Sequence, residues 1–223
     1  METPWKKWIG MRVSADMTGK RSVEGIVIEA GADLLVMHDG ERFVYMPLAH
    51  VQRVREAPVG EEAEAQAPAP AYRGEVASME RMLKAAEGRY VELQVGGSVL
   101  EGFVTAVRPD YLQIYTPLYP GLSIALKHVK WLVPHPAAYD PYPGAAIGAS
   151  AKAVAGRQQP AESFREQVKL AEGRLALINV GGPAEIAGMV RQAGRGMVEI
   201  GDAGGESAYY MLDHLKSLYV PVM

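Results

Sequence analysis

The chain repeats itself three times, and that fact restricts its fold more than any other. Segments of roughly 45 residues carry the same landmarks in the same order, so each segment should fold as one copy of a common unit. Gly10, Gly88 and Gly173 open the copies. Gly25, Gly102 and Gly188 follow 14 or 15 residues later, and Asp33, Asp110 and Gly196 come 8 residues after those. His50, His128 and His214 stand 40 or 41 residues after the opening glycines. Four landmarks held in step through three copies point to duplication.

Within a copy the apolar period is two. Val13, Ala15 and Met17 alternate with Ser14 and Asp16; Val91, Leu93 and Val95 alternate with Glu92 and Gln94; Ala176, Ile178 and Val180 repeat the pattern. Such alternation predicts a half-buried strand. Thr18-Gly19, Gly96-Gly97 and Gly181-Gly182-Pro183 then supply hairpin turns. The second strand carries an apolar residue, any residue, glycine, an apolar residue and valine, centred on Gly25, Gly102 and Gly188. A glycine inside a strand marks a bend or a close backbone approach. Third strands are predicted over 34–37, Tyr111–Tyr115 and 197–200, and two more close each unit around its histidine. The expected fold is therefore all-β: three tandem small five-stranded barrels.

Short helices precede two of them. Met79, Met82, Leu83 and Ala86 have helical spacing behind Ser78 as N-cap, and Phe164, Val168 and Ala171 have it behind Ser163. The first copy has only Pro4–Trp8, enough for one turn. The expected division is unit 1 over 5–56, unit 2 over 78–134 and unit 3 over 162–222. Residues 57–77 and 135–161, rich in Ala, Pro, Glu and Gly, read as extended or flexible linkers.

Composition excludes several functions. There are no cysteines, so disulfides, thiolate metal sites and cysteine nucleophiles are ruled out. A formal net charge of −3 is the wrong sign for a strongly electropositive nucleic-acid binder. No apolar run is long enough to span a membrane, and the first ten residues do not read as a signal peptide. No paired carboxylates, phosphate loop or nucleophile-base arrangement can be argued from spacing. The chain is expected not to be an enzyme and to need no cofactor.

The leading helix, five bent strands and the glycine in the second strand resemble the Sm-like fold. Unit 2 carries this best, with Glu101-Gly102-Phe103-Val104, Pro109-Asp110-Tyr111-Leu112 and Leu126-Lys127-His128-Val129-Lys130. All three copies are similar to the Sm-like repeats of the spore coat protein B family of spore-forming Bacillus relatives. That resemblance implies a structural or scaffold protein of the spore coat, made in the cytoplasm, whose partners are itself or other coat proteins. In Sm-like rings, strand-edge pairing joins subunits. Three tandem copies could pair within the chain or leave free ends for another chain. Lys127-His128 with Val133-Pro134 also resembles the second Sm motif of the Hfq family, where a Lys-His pair meets uridine. On that alternative Lys127 and His128 would contact RNA. Ala49 and Asp213 stand where copies one and three would need the lysine.

Three histidines suffice for zinc, but they lie on three units and nothing in the sequence joins them. The expected role of His50, His128 and His214 is structural, a hydrogen bond at the bend between the last two strands; no metal is expected. Asp33 and Asp110 fit turns, where Asp bonds local backbone. Tyr111, Tyr115, Tyr119, Tyr139 and Tyr142 could stack on bases but fit strand and interface positions as well.

Overall fold

A computed structural model describes residues 4–58, 78–157 and 159–221. Unit 1 contains β1 (Arg12–Met17), β2 (Arg21–Ala30), β3 (Leu34–His38), β4 (Phe43–Pro47) and β5 (Val51–Glu56). Unit 2 contains helix α1 (Met79–Ala86), then β6 (Tyr90–Val95), β7 (Ser98–Val107), β8 (Tyr111–Tyr115), β9 (Pro120–Ala125) and β10 (Val129–Pro134). Helices α2 (Ile147–Ala155) and α3 (Phe164–Lys169) lead into unit 3: β11 (Leu175–Ile178), β12 (Ile186–Gly194), β13 (Met197–Gly201), β14 (Ser207–Met211) and β15 (Ser217–Tyr219).

These strands form one open antiparallel sheet in the order β14-β13-β12-β11-β15-β9-β8-β7-β6-β10-β4-β3-β2-β1-β5. Each unit contributes a run of five, ordered fourth, third, second, first, fifth. The fourth and fifth strands of a unit do not pair with each other, so the described pairing is one continuous sheet and does not close into three separate barrels. The second strand of every unit bulges at the same place, between Val27 and Glu29, Val104 and Ala106, and Val190 and Gln192. A bulge bends a strand and tightens its twist.

The second-strand glycines explain that bend. A Cβ on Gly25 would lie 2.2 Å from the His38 carbonyl oxygen, and one on Gly102 would lie 2.5 Å from that of Tyr115. On Gly188 it would meet Ile200 Cγ2 at 2.5 Å and the Gly201 carbonyl oxygen at 2.7 Å. The backbone of the third strand occupies the space a side chain needs. Gly10, Gly88 and Gly173 face open space instead. They take φ of +83°, +75° and +76°, and each donates to the valine carbonyl of the bulged strand at 2.8 Å (Val27, Val104, Val190).

The cores run across the units. Leu34, Val36 and Tyr45 of unit 1 pack with Leu93, Leu112 and Leu132 of unit 2. Trp131 and Val133 of unit 2 join Val44, Met37 and Met46 of unit 1. Tyr111 and Ala125 of unit 2 join Phe164, Ile178 and Leu218 of unit 3.

Helices α1 and α3 start at the predicted caps: Ser78 Oγ accepts from Arg81 N at 3.4 Å, and Ser163 Oγ from Glu166 N at 3.3 Å. The 135–161 segment differs from the expected spacer. It contains α2, which packs against β7 and β9 with Ala151 buried. Its alanines, the best helix formers, outweigh the flanking Pro and Gly. His135 and Tyr139 stack at 4.1 Å, with Tyr139 5.5 Å from the Tyr90 ring. Of the other expected linker, residues 59–77 lie outside the described residues. Ala57, at its start, is buried and donates to the Arg12 carbonyl at 3.2 Å.

Candidate functional site

The sequence landmarks converge on the two junctions between units. At the first, β10 lies beside β4 with Leu132 opposite Tyr45. At the second, β15 lies beside β9 with Leu218 opposite Ser123 and Ser217 opposite Ile124. Leu132 and Leu218 each stand four residues after their unit's histidine; Tyr45 and Ser123 each stand five before theirs. The register is the same twice. In both cases the fifth strand of the later unit lies on the fourth strand of the earlier one.

The histidines are junction residues. Each ends a tight 3-10 turn (Leu48–His50, Leu126–His128, Leu212–His214). His50 bonds Thr18 Oγ1 through Nδ1 at 3.1 Å and also hydrogen-bonds the backbone of Lys127 in unit 2. His128 Nε2 donates to the carbonyl of Asp213 in unit 3 at 3.0 Å. Each thus reaches the residue just before the next unit's histidine. His214 is exposed and has no such partner among the described residues. The three do not surround one centre, and among the described residues no His, Asp and Glu group could hold a metal ion.

The aspartates act across the same boundaries, beyond the local turn expected of them. Asp33 Oδ1 accepts from Met79 N, the first residue of α1, at 3.1 Å. Asp110 Oδ1 accepts from Phe164 N, the first residue of α3, at 2.9 Å. A side-chain cap of this type contributes about 1 kcal/mol. Their backbone carbonyls, and that of Gly196, accept from Leu48, Leu126 and Leu212 at 2.8 to 2.9 Å, so Gly196 holds the same backbone position without the carboxylate.

Hairpin turns add a further layer. Arg21 Nη2 donates to the Gly97 carbonyl at 3.1 Å, and Ser98 Oγ to the Gly181 carbonyl at 2.7 Å. Lys130 and Lys216, each two residues after a junction histidine, lie over the turns at Gly19 and Gly96. Lys127 Nζ pairs with Asp213 Oδ1 at 2.5 Å, and Arg42 with Glu92 at 2.6 Å. A groove of about 520 Å³ opens beside the second junction, lined by Asp110, Lys127, Phe164, Arg165 and Asp213 among others. Tyr119 and Tyr219 meet edge to face across this junction at 5.3 Å, and the Tyr111 hydroxyl donates to the Ala161 carbonyl at 2.7 Å. Junction partners cannot be found by spacing within one copy. The only signal in the sequence was that His and Asp landmarks persist in step.

Burial pushes His50 and His128 below the ordinary imidazole value, while their bonds to the backbone of Lys127 and Asp213 oppose that shift. Burial lowers His135 as well. With the folded value below an unfolded value of about 6.5, the unfolded chain binds more protons as pH falls through that range. The contribution is present above pH about 6.5 and is lost on acidification. The melting temperature is expected to be lower at pH 5.5 than at pH 7.5, and His128→Gln to lessen the difference. An equal or higher melting temperature at pH 5.5 would contradict this.

The arrangement defines an all-β chain of three units sharing one sheet. Residues 163–218, the third unit, match a family model described as YwrJ third domain. Over its length the chain is similar to the uncharacterized protein YwrJ of Bacillus subtilis (strain 168), 26% identical over 223 residues, covering 96% of this chain and 98% of that protein. These similarities carry the YwrJ name and not that of spore coat protein B or Hfq. Among the described residues no helix is long and apolar enough to cross a membrane.

Proposed function

We propose that this chain is a non-enzymatic structural protein whose three Sm-like units act as a scaffold in a larger assembly of the spore-coat kind, built by strand-edge association. One observation carries the reading: units join twice through the same outer strands in the same register, and among the described residues the same two kinds of edge stand open at β14 and β5. An unpaired edge is a template for another strand. The relative from Bacillus and the resemblance to coat-family repeats supply the setting.

Light scattering of the full chain over a concentration series tests it. The expected mass exceeds the 24.1 kDa of one chain. Tyr209→Pro should return the protein to single-chain mass. In β9, Ala125 N points outward to the Lys216 carbonyl, so by alternation the N–H of the residue matching Tyr209 also points outward, where proline removes only an edge donor. A wild-type protein at single-chain mass at every concentration, or an unchanged mass in the variant, would sink the reading.

Single-stranded RNA binding is the second reading. Its support is a row of cations, in which Arg21 and Lys216 stand close enough to Lys130 to help burial lower its ammonium pKa. Against it, Lys127 is engaged by Asp213. Salt-sensitive retention of U-rich RNA that weakens in Lys127→Ala would favour this reading.

A further inference from the structure

We infer that the partner of the free β14 edge is β5 of a second copy of this chain, in the register of the two internal junctions, with Val54 opposite Tyr209 and Arg53 opposite Tyr210. This rests on the strand-edge reading and names its partner.

Exposure at matching positions is the main argument. Tyr45 is 1% exposed and Ser123 1%, each under a neighbouring fifth strand, whereas Tyr209 at the same place is 67% exposed. Ala125 is 1% exposed and Met211, its counterpart, 49%. Met46 and Ile124 are fully buried, and Tyr210 is only partly so. The opposite edge shows the same deficit. Leu132 and Leu218 are buried, as are Val129 and Leu215, but the matching Val54 and Val51 of β5 are only partly buried. Tyr209 and Met211, and less strongly Val51 and Val54, are therefore apolar positions whose counterparts at the internal junctions lie under the other edge. An uncovered apolar patch of that shape marks an association surface.

The polar landmarks complete the fit. His214, exposed and without the bond its counterparts make, would reach the Ala49 carbonyl of the second copy, as His50 reaches Lys127 and His128 reaches Asp213. Gln52 would lie over the Gly181-Gly182 turn, where Lys130 and Lys216 lie over theirs. Gly196 replaces the helix-capping aspartate at the one junction where the following unit opens with the short turn Pro4–Trp8 in place of α1 or α3.

This third junction is weaker than the other two. Arg53 and Arg55 stand on β5 where Trp131 and Val133, or Ser217 and Tyr219, stand in the internal strands. Charges on an edge strand restrain indiscriminate pairing. Arg53 is already held by Asp16 at 2.6 Å, and opposite Tyr210 its guanidinium gains a ring face.

The chain has no cysteine, so introduced ones report the register directly. Residues directly opposite in an antiparallel pair have Cα atoms about 4.5–5.5 Å apart, within disulfide reach. Mixing a Val54→Cys chain with a Tyr209→Cys chain should give a disulfide-linked heterodimer on a non-reducing gel. Its yield should be about tenfold above that of Val54→Cys with Ala208→Cys, because a one-residue slip turns the side chain to the other face. Ser123→Cys/Leu218→Cys, the same register at an internal junction, should link within one chain and shows that the geometry is competent. Equal linking by the slipped pair, or none between Val54→Cys and Tyr209→Cys while the internal pair links, overturns the inference. If the wild-type protein still assembles and Tyr209→Pro still disperses it, the strand-edge reading survives that result and only the assigned partner edge falls.

Discussion

A Gly102→Ala protein is expected to lose about 3 kcal/mol of stability, the upper end of what overpacking costs, for the addition of one methyl group. The new Cβ would sit 2.5 Å from the Tyr115 carbonyl oxygen, 3.1 Å from Thr116 Cγ2 and 3.2 Å from the Tyr115 carbonyl carbon. Two of these atoms are backbone of β8, a strand held on both sides by β7 and β9, so no side chain can swing away to relieve the clash. For a chain of this size the loss corresponds to a fall of about 6–12 °C in melting temperature. Gly97→Ala is the matched control. Its Cβ would meet nothing within 4 Å, and a surface change of that kind stays within about 0.5 kcal/mol. Melting curves of the two variants decide the matter. A Gly102→Ala protein that melts with wild type would mean that β7 and β8 do not approach as closely as described.

The second large effect separates two tyrosines at one position of the repeat. Tyr45→Ala is expected to cost about 3–5 kcal/mol, as for other large buried aromatics. Its ring is buried in the core shared by units 1 and 2, opposite Leu132. Tyr209→Ala, measured in dilute solution, is expected to change folding stability by no more than about 0.5 kcal/mol, because that ring lies in water. Denaturant titrations of both variants give the comparison. Similar losses in the two would show that position in the repeat, and not the neighbouring unit, sets the burial.

Much of the unit is legible in the sequence. Alternation of Val13, Ala15 and Met17 marks a strand because the pleat puts them on one face, and Ser78 and Ser163 announce helices because an N-terminal amide needs an acceptor. Gly25, Gly102 and Gly188 were legible as close approaches for the same steric reason. The joining of units was not, since it depends on pairs such as Leu132 with Tyr45, which lie far apart in sequence and are apolar residues like any others. Asp33 and Asp110 looked like turn residues because Asp favours turns, and they do lie in the β2–β3 and β7–β8 connections; the side chain, however, travels to the next unit. The 135–161 segment misled through composition: Pro and Gly flank a run whose alanines form a helix once β7 and β9 offer it a surface. His50 and His128 stood out by position, but a carbonyl acceptor leaves no trace in side-chain identity.

Because a fifth strand always lies on the fourth strand of the preceding unit, the sheet is a polar object with unlike ends. In the register of the internal junctions, the β5 end would mount a fourth strand and the β14 end would receive a fifth. Like ends of two chains cannot meet through the junction that joins the units within the chain. On the proposed strand-edge association, a chain blocked at one end would add through the other and stop growth there, which would make the two edges separable handles on the length of the assembly.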